Sequence, residues 1–209
     1  MGMIKEPRAN LDARWNKKGD KFVVGSSSGH VSIGTYSEQS NFWVAHPISK
    51  KPVHKASVVS VCFDISGRAI ASCSLDGQVF IHSCFDENLD KDSTQGPFGS
   101  VTSYGDKLVK LKSSAWANFV TFSPSCKQIC YGTQDCELNF ADVSEAAGGK
   151  SKVKPERVNL RTNPHITGMF LTEDTFVAAG FDKVPYLYKM EGKEWKQVKT
   201  LDDGVSKQR

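Results

Sequence analysis

The side chains that could carry out catalysis are scattered along the chain. None of the five histidines stands in an HExxH arrangement or beside a Gly-x-Ser-x-Gly elbow, the spacings typical of metal binding and of an activated serine. The six cysteines form no CxxC pair, and His82-Ser83-Cys84 is the best remaining pair of metal-ligand types. The sequence therefore predicts no catalytic residue, no metal and no cofactor, and it favours reduced thiols with a structural role.

One segment resembles a phosphate-binding loop. Residues 144–151 end in Gly-Lys-Ser and follow an apolar run from Leu138 to Val143. A true loop of this kind begins with Gly, where this chain has Ser144, and it continues into a helix, which Pro155 disfavours. A nucleotide-binding protein or an enzyme is therefore the weakest of the functional alternatives.

Composition and charge are those of an ordinary globular protein. The chain has 209 residues, of which 39% are hydrophobic and 24% charged, and its formal net charge is +4. This charge is far below that of a dedicated nucleic-acid-binding surface, and no apolar run is long enough to span a bilayer. The charged residues near the amino end do not fit a secretory signal. We expect a cytoplasmic protein with no nucleic-acid partner and no membrane insertion.

A repeat that starts with an aromatic residue organises the elements of the chain. Ten residues after each aromatic there is a small residue, and sixteen and eighteen residues after it there are apolar residues with the alternation of a β-strand. The aromatics are separated by 48, 59 and 48 residues. We interpret them as core anchors; they are Trp15, Phe63, Phe122 and Phe170.

Tight turns are predicted between the strands of each unit. Asp76-Gly77 is a strong hairpin signal, because both central residues of a type I′ turn need a positive φ. Asp135 and Asp182 stand near the same turn in two other units. Short strands in units of this length are typical of the blades of a β-propeller, although the Trp-Asp dipeptide of WD repeats is absent.

We therefore predict an all-β fold, a WD40-type β-propeller with about four visible blades in a single domain over residues 1–209. Four blades make either part of a seven-bladed propeller or a small or incomplete ring. The blade-like units cover residues 12–36, 57–84, 115–143 and 164–190, and residues 85–113 are predicted to form a loop inserted between the second unit and the third.

Two stretches are candidates for docking a partner. In the long loop, Pro97 and Phe98 stand between glycines, and such a stiffened aromatic tip either docks into a partner or folds back as a plug on its own blade. Lys50 and Lys51 link the first unit to the second, where they form either a solvated loop or a basic rim that steers association. A second basic stretch, residues 150–161, is predicted to be a solvated loop.

Several segments, in order from about Arg8 onward, resemble the WD-repeat subunit of the actin-related protein 2/3 complex. Residues 42–53 resemble that family's Trp-Trp-Val…Ile-Lys-Lys-Pro-Ile segment, and residues 97–100 are similar to its Pro-Trp-Gly-Ser insertion. Residues 116–123 and 176–182 resemble two of its strands. The end of the chain, from Leu201, resembles the start of the segment that leads to its protruding helix.

The resemblance implies a non-catalytic subunit that scaffolds an actin-nucleating complex in the cytoplasmic actin cytoskeleton. The partners that it implies are the other subunits of the complex, actin filaments and nucleation-promoting factors. For such a subunit, Phe42 and Trp43 are further docking candidates, as hydrophobic loop tips that supply contact energy. That family has seven blades, and those before Trp15 and after Tyr188 have no counterpart here, which is typical of a fragment or a reduced homologue. A generic WD-repeat adaptor outside the actin system is the alternative.

Overall fold

The computed structural model describes residues 8–91, 95–146 and 153–201. Within these residues the chain forms sixteen strands, which make up four antiparallel sheets of four strands each. In every sheet, neighbouring strands are consecutive in the sequence, so each sheet is a simple meander. The all-β fold class predicted from the repeat is confirmed.

The sheets follow one another along the chain. The first contains β1 (Asn10–Trp15), β2 (Lys21–Ser26), β3 (Val31–Ser37) and β4 (Phe42–Pro47). The second contains β5 (Val58–Phe63), β6 (Ala69–Ser74), β7 (Gln78–Cys84) and β8 (Tyr104–Lys112). The third contains β9 (Ala117–Phe122), β10 (Gln128–Thr133), β11 (Glu137–Asp142) and β12 (Glu156–Asn159). The fourth contains β13 (His165–Thr172), β14 (Thr175–Gly180), β15 (Tyr186–Glu191) and β16 (Glu194–Thr200).

The four sheets are arranged radially, as the blades of a propeller are. The first strands of successive sheets contact each other, β1 with β5, β5 with β9 and β9 with β13, so these strands lie nearest to a common axis. Across the described parts of the chain, the first and fourth sheets share no extensive strand contact. The sheets therefore form an arc, and their number agrees with the four blades that the sequence predicted.

A separate hydrophobic core fills each gap between neighbouring blades. Val23 and Ile33 of the first sheet pack against Val61 and Ile70 of the second. A larger core joins the second and third sheets, and an aromatic core around Phe140 and Phe176 joins the third and fourth. Because a blade is apolar on both faces, it is stable only when neighbours cover those faces, and β6 in the second blade is buried along its whole length.

The fourth strand of each sheet lies outside the units that the repeat predicts. The loop predicted for residues 85–113 is shorter in the structure, because Tyr104–Lys112 form β8, and the basic stretch predicted as a loop contains β12. Charged residues are frequent in β8, β12 and β16, and in β8 only Val109 and Leu111 are buried. β4 has no charged residue, but none of its side chains is fully buried. The apolar alternation that reveals a strand in a sequence is therefore weak there.

Candidate functional site

The turn between the second and third strands of the second sheet is fixed by Asp76. Its carboxylate accepts backbone N–H bonds from Gln78 (2.9 Å) and Lys55 (2.8 Å) and lies 3.3 Å from Nδ1 of His54. The other ring nitrogen of His54 is 2.9 Å from the hydroxyl of Ser72. This network attaches the segment before β5 to the β6–β7 turn. The hydrogen bond between His54 and Asp76 could not be predicted from the sequence, because 22 residues separate the two.

Asp135 and Asp182 occupy the equivalent turns of the third and fourth sheets. The Asp135 carboxylate accepts hydrogen bonds from the hydroxyls of Ser114 and Thr133, and the Asp182 carboxylate accepts the backbone N–H of Asn163 at 2.9 Å. Ser114 precedes β9 and Asn163 precedes β13, just as Lys55 precedes β5. Each of the three Asp residues therefore holds the turn of its blade against the segment that enters the same blade.

A residue with positive φ follows each Asp in these turns. It is Gly77 (φ 74°) in the second sheet, Cys136 (φ 62°) in the third and Lys183 (φ 60°) in the fourth. Gly77 is also packed closely, since a Cβ atom built there would lie 2.8 Å from the carbonyl oxygen of Ala115. A substitution of Gly77 would therefore be strained both in its backbone and in its packing.

Three of the four predicted anchors are buried or half-buried, and the fourth is exposed. Phe122 and Phe170 lie in the cores on either side of the third blade, and Phe63 is half-buried at the core between the first and second blades. The prediction that Trp15 is a core residue is wrong, because its side chain is 58% exposed. It pairs with Phe22 on the face of the first sheet opposite to Val23, and none of the blades formed by the described residues covers that face.

Phe98 is buried, so the prediction that it forms an exposed docking tip is wrong. Its side chain is 0% exposed and belongs to the core between the second and third blades, with its ring centroid 6.0 Å from that of Phe122. Burying this large apolar ring inside the protein has a lower free energy than leaving it in water. Of the two alternatives raised by the sequence, the plug is the one observed. Pro97, beside it, is half-buried.

The insertion, defined here as residues 85–103 between β7 and β8, also contacts the first blade. Lys21 on β2 is completely buried, and its ammonium donates to the carbonyls of Gly67 and Cys84 (3.0 Å each) and to the carboxylate of Asp90 in the insertion. Arg68 donates to the carbonyl of Val101 at 3.1 Å and to that of Asp90. The insertion therefore joins the first, second and third blades from inside the protein.

Phe42 and Trp43 lie on β4 and not on a loop tip. Trp43 is half-buried and its ring contacts those of Trp15 (5.0 Å), Phe22 (5.5 Å) and Tyr36 (5.6 Å between centroids). Phe42 is exposed at the start of the same strand. These rings form an aromatic surface at one end of the arc.

Lys50 and Lys51 are exposed on the segment that links the first blade to the second. The same segment is anchored further on, where the backbone N–H groups of Val53 and His54 donate to the carbonyl of Gly29 at 3.1 Å. The two lysines therefore project from a fixed link on the edge of the arc that carries the Asp turns. Phe98 lies in the core, away from this link.

The titratable groups in the interior favour a structural role. Burial raises the pKa of the thiols of Cys62 and Cys126 to about 12, so both are protonated and weakly nucleophilic at neutral pH. In the described ranges no three His, Cys, Asp or Glu side chains are grouped as ligands for a metal ion. Nor do those ranges contain a helix long and apolar enough to cross a membrane. Lys150 and Ser151 of the phosphate-loop-like segment lie outside the described residues.

Acid should destabilise the fold through its buried histidines. Desolvation lowers the pKa of His82 and of His165 to about 4 and also lowers the pKa of His54. Between pH 6.5 and 4 the unfolded chain binds protons at these residues that the folded chain does not, so stability present at pH 7 is lost as the pH falls. We expect the free energy of unfolding to be about 2 to 4 kcal/mol lower at pH 5 than at pH 7.

Urea unfolding at pH 7, 6 and 5 measures this effect. The variant His165→Gln keeps a partner for the hydroxyl of Tyr188, which lies 2.7 Å from Nε2 of His165, and it should show a smaller loss between pH 7 and 5. A free energy of unfolding that is the same at pH 7 and pH 5 would contradict the assignment of neutral, buried histidines.

The geometry defines the class of this protein. Four-stranded meanders stack about one axis through their first strands, and an Asp in the turn between the second and third strands holds each of three blades to its entering segment. This is the architecture of a WD-type β-propeller. It is consistent with the repeat seen in the sequence.

The curated homologues of the chain are subunit 1 proteins of the actin-related protein 2/3 complex. Identity is 29% over 187 residues with subunit 1A of Arabidopsis thaliana, covering 89% of this chain and 48% of the relative. It is 26% over 189 residues with subunit 1A-B of Xenopus laevis (89% and 49%), and 24% over 209 residues with subunit 1 of Schizosaccharomyces pombe (98% and 53%). The chain thus spans about half the length of the curated relatives it matches. No family model matches it.

The resemblance predicted from the sequence is confirmed by these relatives. The chain is a divergent homologue, because fewer than a third of the aligned residues are identical in each case.

Proposed function

We propose that the chain is a non-catalytic structural subunit of the actin-nucleating actin-related protein 2/3 complex, in the cytoplasmic actin cytoskeleton. The observation that carries the proposal is the similarity to subunit 1 proteins over 89% to 98% of the chain. Its role is to hold other subunits of the complex in fixed relative positions. Actin filaments and nucleation-promoting factors are the further partners that this role implies.

The packing of the blades suits a scaffold. A core in each gap between blades and the buried contacts of the insertion make the arc rigid before any partner binds. A preformed surface loses less conformational entropy on docking than a flexible one, so more of its contact energy appears as affinity. The docking residues that we propose are Phe42, Trp43, Lys50, Lys51 and Pro97, of which the lysines would steer association and the aromatic residues would provide buried area.

Affinity purification of the tagged chain from its own cells, followed by mass spectrometry, tests this function. We expect actin-related proteins and the other subunits of the complex among the captured proteins. The capture of an unrelated set of proteins would favour the generic adaptor. A chain with Phe176→Asp, which places a charge in the fully buried core between the third and fourth blades, serves as the unfolded control.

The double substitution Lys50→Glu/Lys51→Glu should weaken capture of the complex about tenfold at low ionic strength without changing the melting temperature. Both side chains are exposed, so the loss would come from reversed electrostatic steering, which salt screens. Association rates at 50 and 300 mM salt measure it. Lys189→Glu/Lys199→Glu on the fourth blade is the control for charge alone. An equal loss in both variants, or none in either, would contradict a specific role for the link.

A further inference from the structure

A groove between the second and third blades contains an aromatic ring and carboxylates that the proposed function does not use. It opens on the edge of the arc that carries the Asp turns. Three segments line it: the β6–β7 turn from Leu75 to Gly77, the link from Ser114 to Trp116, and the β10–β11 turn at Gln134 and Asp135. The groove therefore lies where two blades and the link between them meet.

The walls of the groove are fixed by hydrogen bonds. The hydroxyl oxygen of Ser113 lies within hydrogen-bond distance of the carbonyls of Gly77 (2.9 Å) and Ala115 (2.7 Å), and the backbone N–H of Ser113 donates to the carbonyl of Gly77 (2.8 Å). On the other wall, the backbone N–H of Gln134 donates to the carbonyl of Trp116 at 2.9 Å. The groove is thus preformed, and a ligand would not have to order it.

An exposed tryptophan and a carboxylate both line this groove. The side chain of Trp116 is 56% exposed although it is large and apolar. The carboxylate of Asp135 is held by the hydroxyls of Ser114 and Thr133, one on each oxygen, which leaves acceptor capacity on both oxygens. Hydrogen bonds from these hydroxyls lower the pKa of Asp135, although burial opposes them, so it is ionised at neutral pH.

The sign of the charge in the groove is opposite to that of the chain. None of the residues that line the groove is basic, whereas the chain as a whole has a net charge of +4. Asp76 adds a second negative charge, but its oxygens already accept bonds from Gln78, Lys55 and His54, so it acts through its field. Arg157 on β12 also acts on Asp135 through its charge, and it is not part of the lining.

We propose that this groove binds an arginine side chain presented by a partner protein. A guanidinium is planar, stacks on an indole ring and donates two parallel N–H bonds to one carboxylate. Trp116 offers the ring and Asp135 the carboxylate. The ammonium of a lysine is compact and strongly hydrated, so it would use the charge of the groove and gain less from the ring. The proposal goes beyond the proposed function and does not depend on it.

Titration of the 209-residue chain with N-acetylarginine amide tests the proposal. The indole N–H resonance of Trp116, assigned with the variant Trp116→Phe, reports binding. We expect a saturable shift with N-acetylarginine amide and none with N-acetylcitrulline amide, which has nearly the same shape and no charge. Equal shifts with the two compounds, or none with arginine, would overturn the proposal.

Matched carboxylate variants locate the binding. Asp135→Asn should weaken the binding of N-acetylarginine amide about tenfold, because it removes a charge-assisted hydrogen bond. Asp174→Asn is the control, because Asp174 also accepts hydrogen bonds from two threonine hydroxyls, in the β13–β14 turn. This substitution should leave the affinity for N-acetylarginine amide unchanged. Equal affinities in the two variants would overturn the proposal.

A second variant keeps the test valid if Asp135→Asn destabilises the turn. Trp116→Ala removes an exposed ring, so it should leave the melting temperature nearly unchanged. The substitution should abolish saturable binding of N-acetylarginine amide, which the backbone amide resonance of Ser114 then reports in place of the indole. Unchanged binding in this variant would show that the indole takes no part, and the proposal would be wrong.

Discussion

Replacing Phe98 with alanine should lower the free energy of unfolding by about 3 to 5 kcal/mol. The ring is completely buried in the core that joins the second and third blades, where it packs near Phe122. The substitution removes this buried area and leaves a cavity at the junction of two blades and the insertion. Urea unfolding of the variant and of the original chain measures the difference.

Phe181→Ala is the matched control for this prediction. Phe181 is also a phenylalanine outside the strands, but its side chain is 57% exposed, so its loss should change the free energy of unfolding by about 1 kcal/mol or less. Similar small effects of the two substitutions would mean that Phe98 does not occupy the core.

Replacing Lys21 with methionine should also be severe, with a loss of about 3 to 5 kcal/mol in the free energy of unfolding. Lys21 is completely buried and donates to two carbonyls and to the buried carboxylate of Asp90. Methionine fills a similar volume but leaves Asp90 without its opposite charge, and a buried unpaired charge is costly. Lys18→Met, an exposed lysine whose ammonium lies 3.3 Å from the carbonyl of Leu89, is the control and should have little effect.

A double-mutant cycle separates this ion pair from simple loss of packing. Lys21→Met combined with Asp90→Leu removes both charges, so it should recover a large part of the stability that Lys21→Met alone loses. If the two single losses simply add in the double variant, Lys21 and Asp90 do not interact in the way described. Thermal and urea unfolding should agree on the sign of the coupling.

The sequence predicted the blades because their signals are local. Alternating apolar residues indicate a strand within a few positions, and a turn reveals its need for positive φ through the residues in it. Gly19, Gly67 and Cys126 stand four residues after Trp15, Phe63 and Phe122, and all three have positive φ in the structure. The turn therefore falls at the same position of the repeat in these three units, also where Cys stands in place of Gly.

The sequence could not predict the contacts of the insertion. Phe98 between Gly and Pro suits an exposed tip and a buried plug equally well, and the choice depends on a core built by two other segments. Lys21 and Asp90 are 69 residues apart, and charged residues are expected at the surface unless a partner is known. Contacts between such distant residues can be predicted only when the relative positions of the sheets are known.

The groove at Trp116 illustrates the same limit. The sequence indicates a strand at Trp116 and a turn at Asp135, each from the neighbouring residues. They come close because β9 and β10 pair in the third blade, with Ala117 opposite Thr133 and the backbone N–H of Gln134 donating to the carbonyl of Trp116. The second wall, the β6–β7 turn, belongs to the second blade, so the groove forms only when the two blades lie side by side.

Hydrogen exchange of backbone amides in the 209-residue chain tests most directly whether the insertion belongs to the interior of the propeller. The amides of Asp90, Gly99 and Val101 donate to backbone carbonyls within it, so peptides covering residues 86–91 and 96–103 should be protected about as strongly as β8. Rapid, unprotected exchange of both peptides, while β6 and β7 stay protected, would contradict the account.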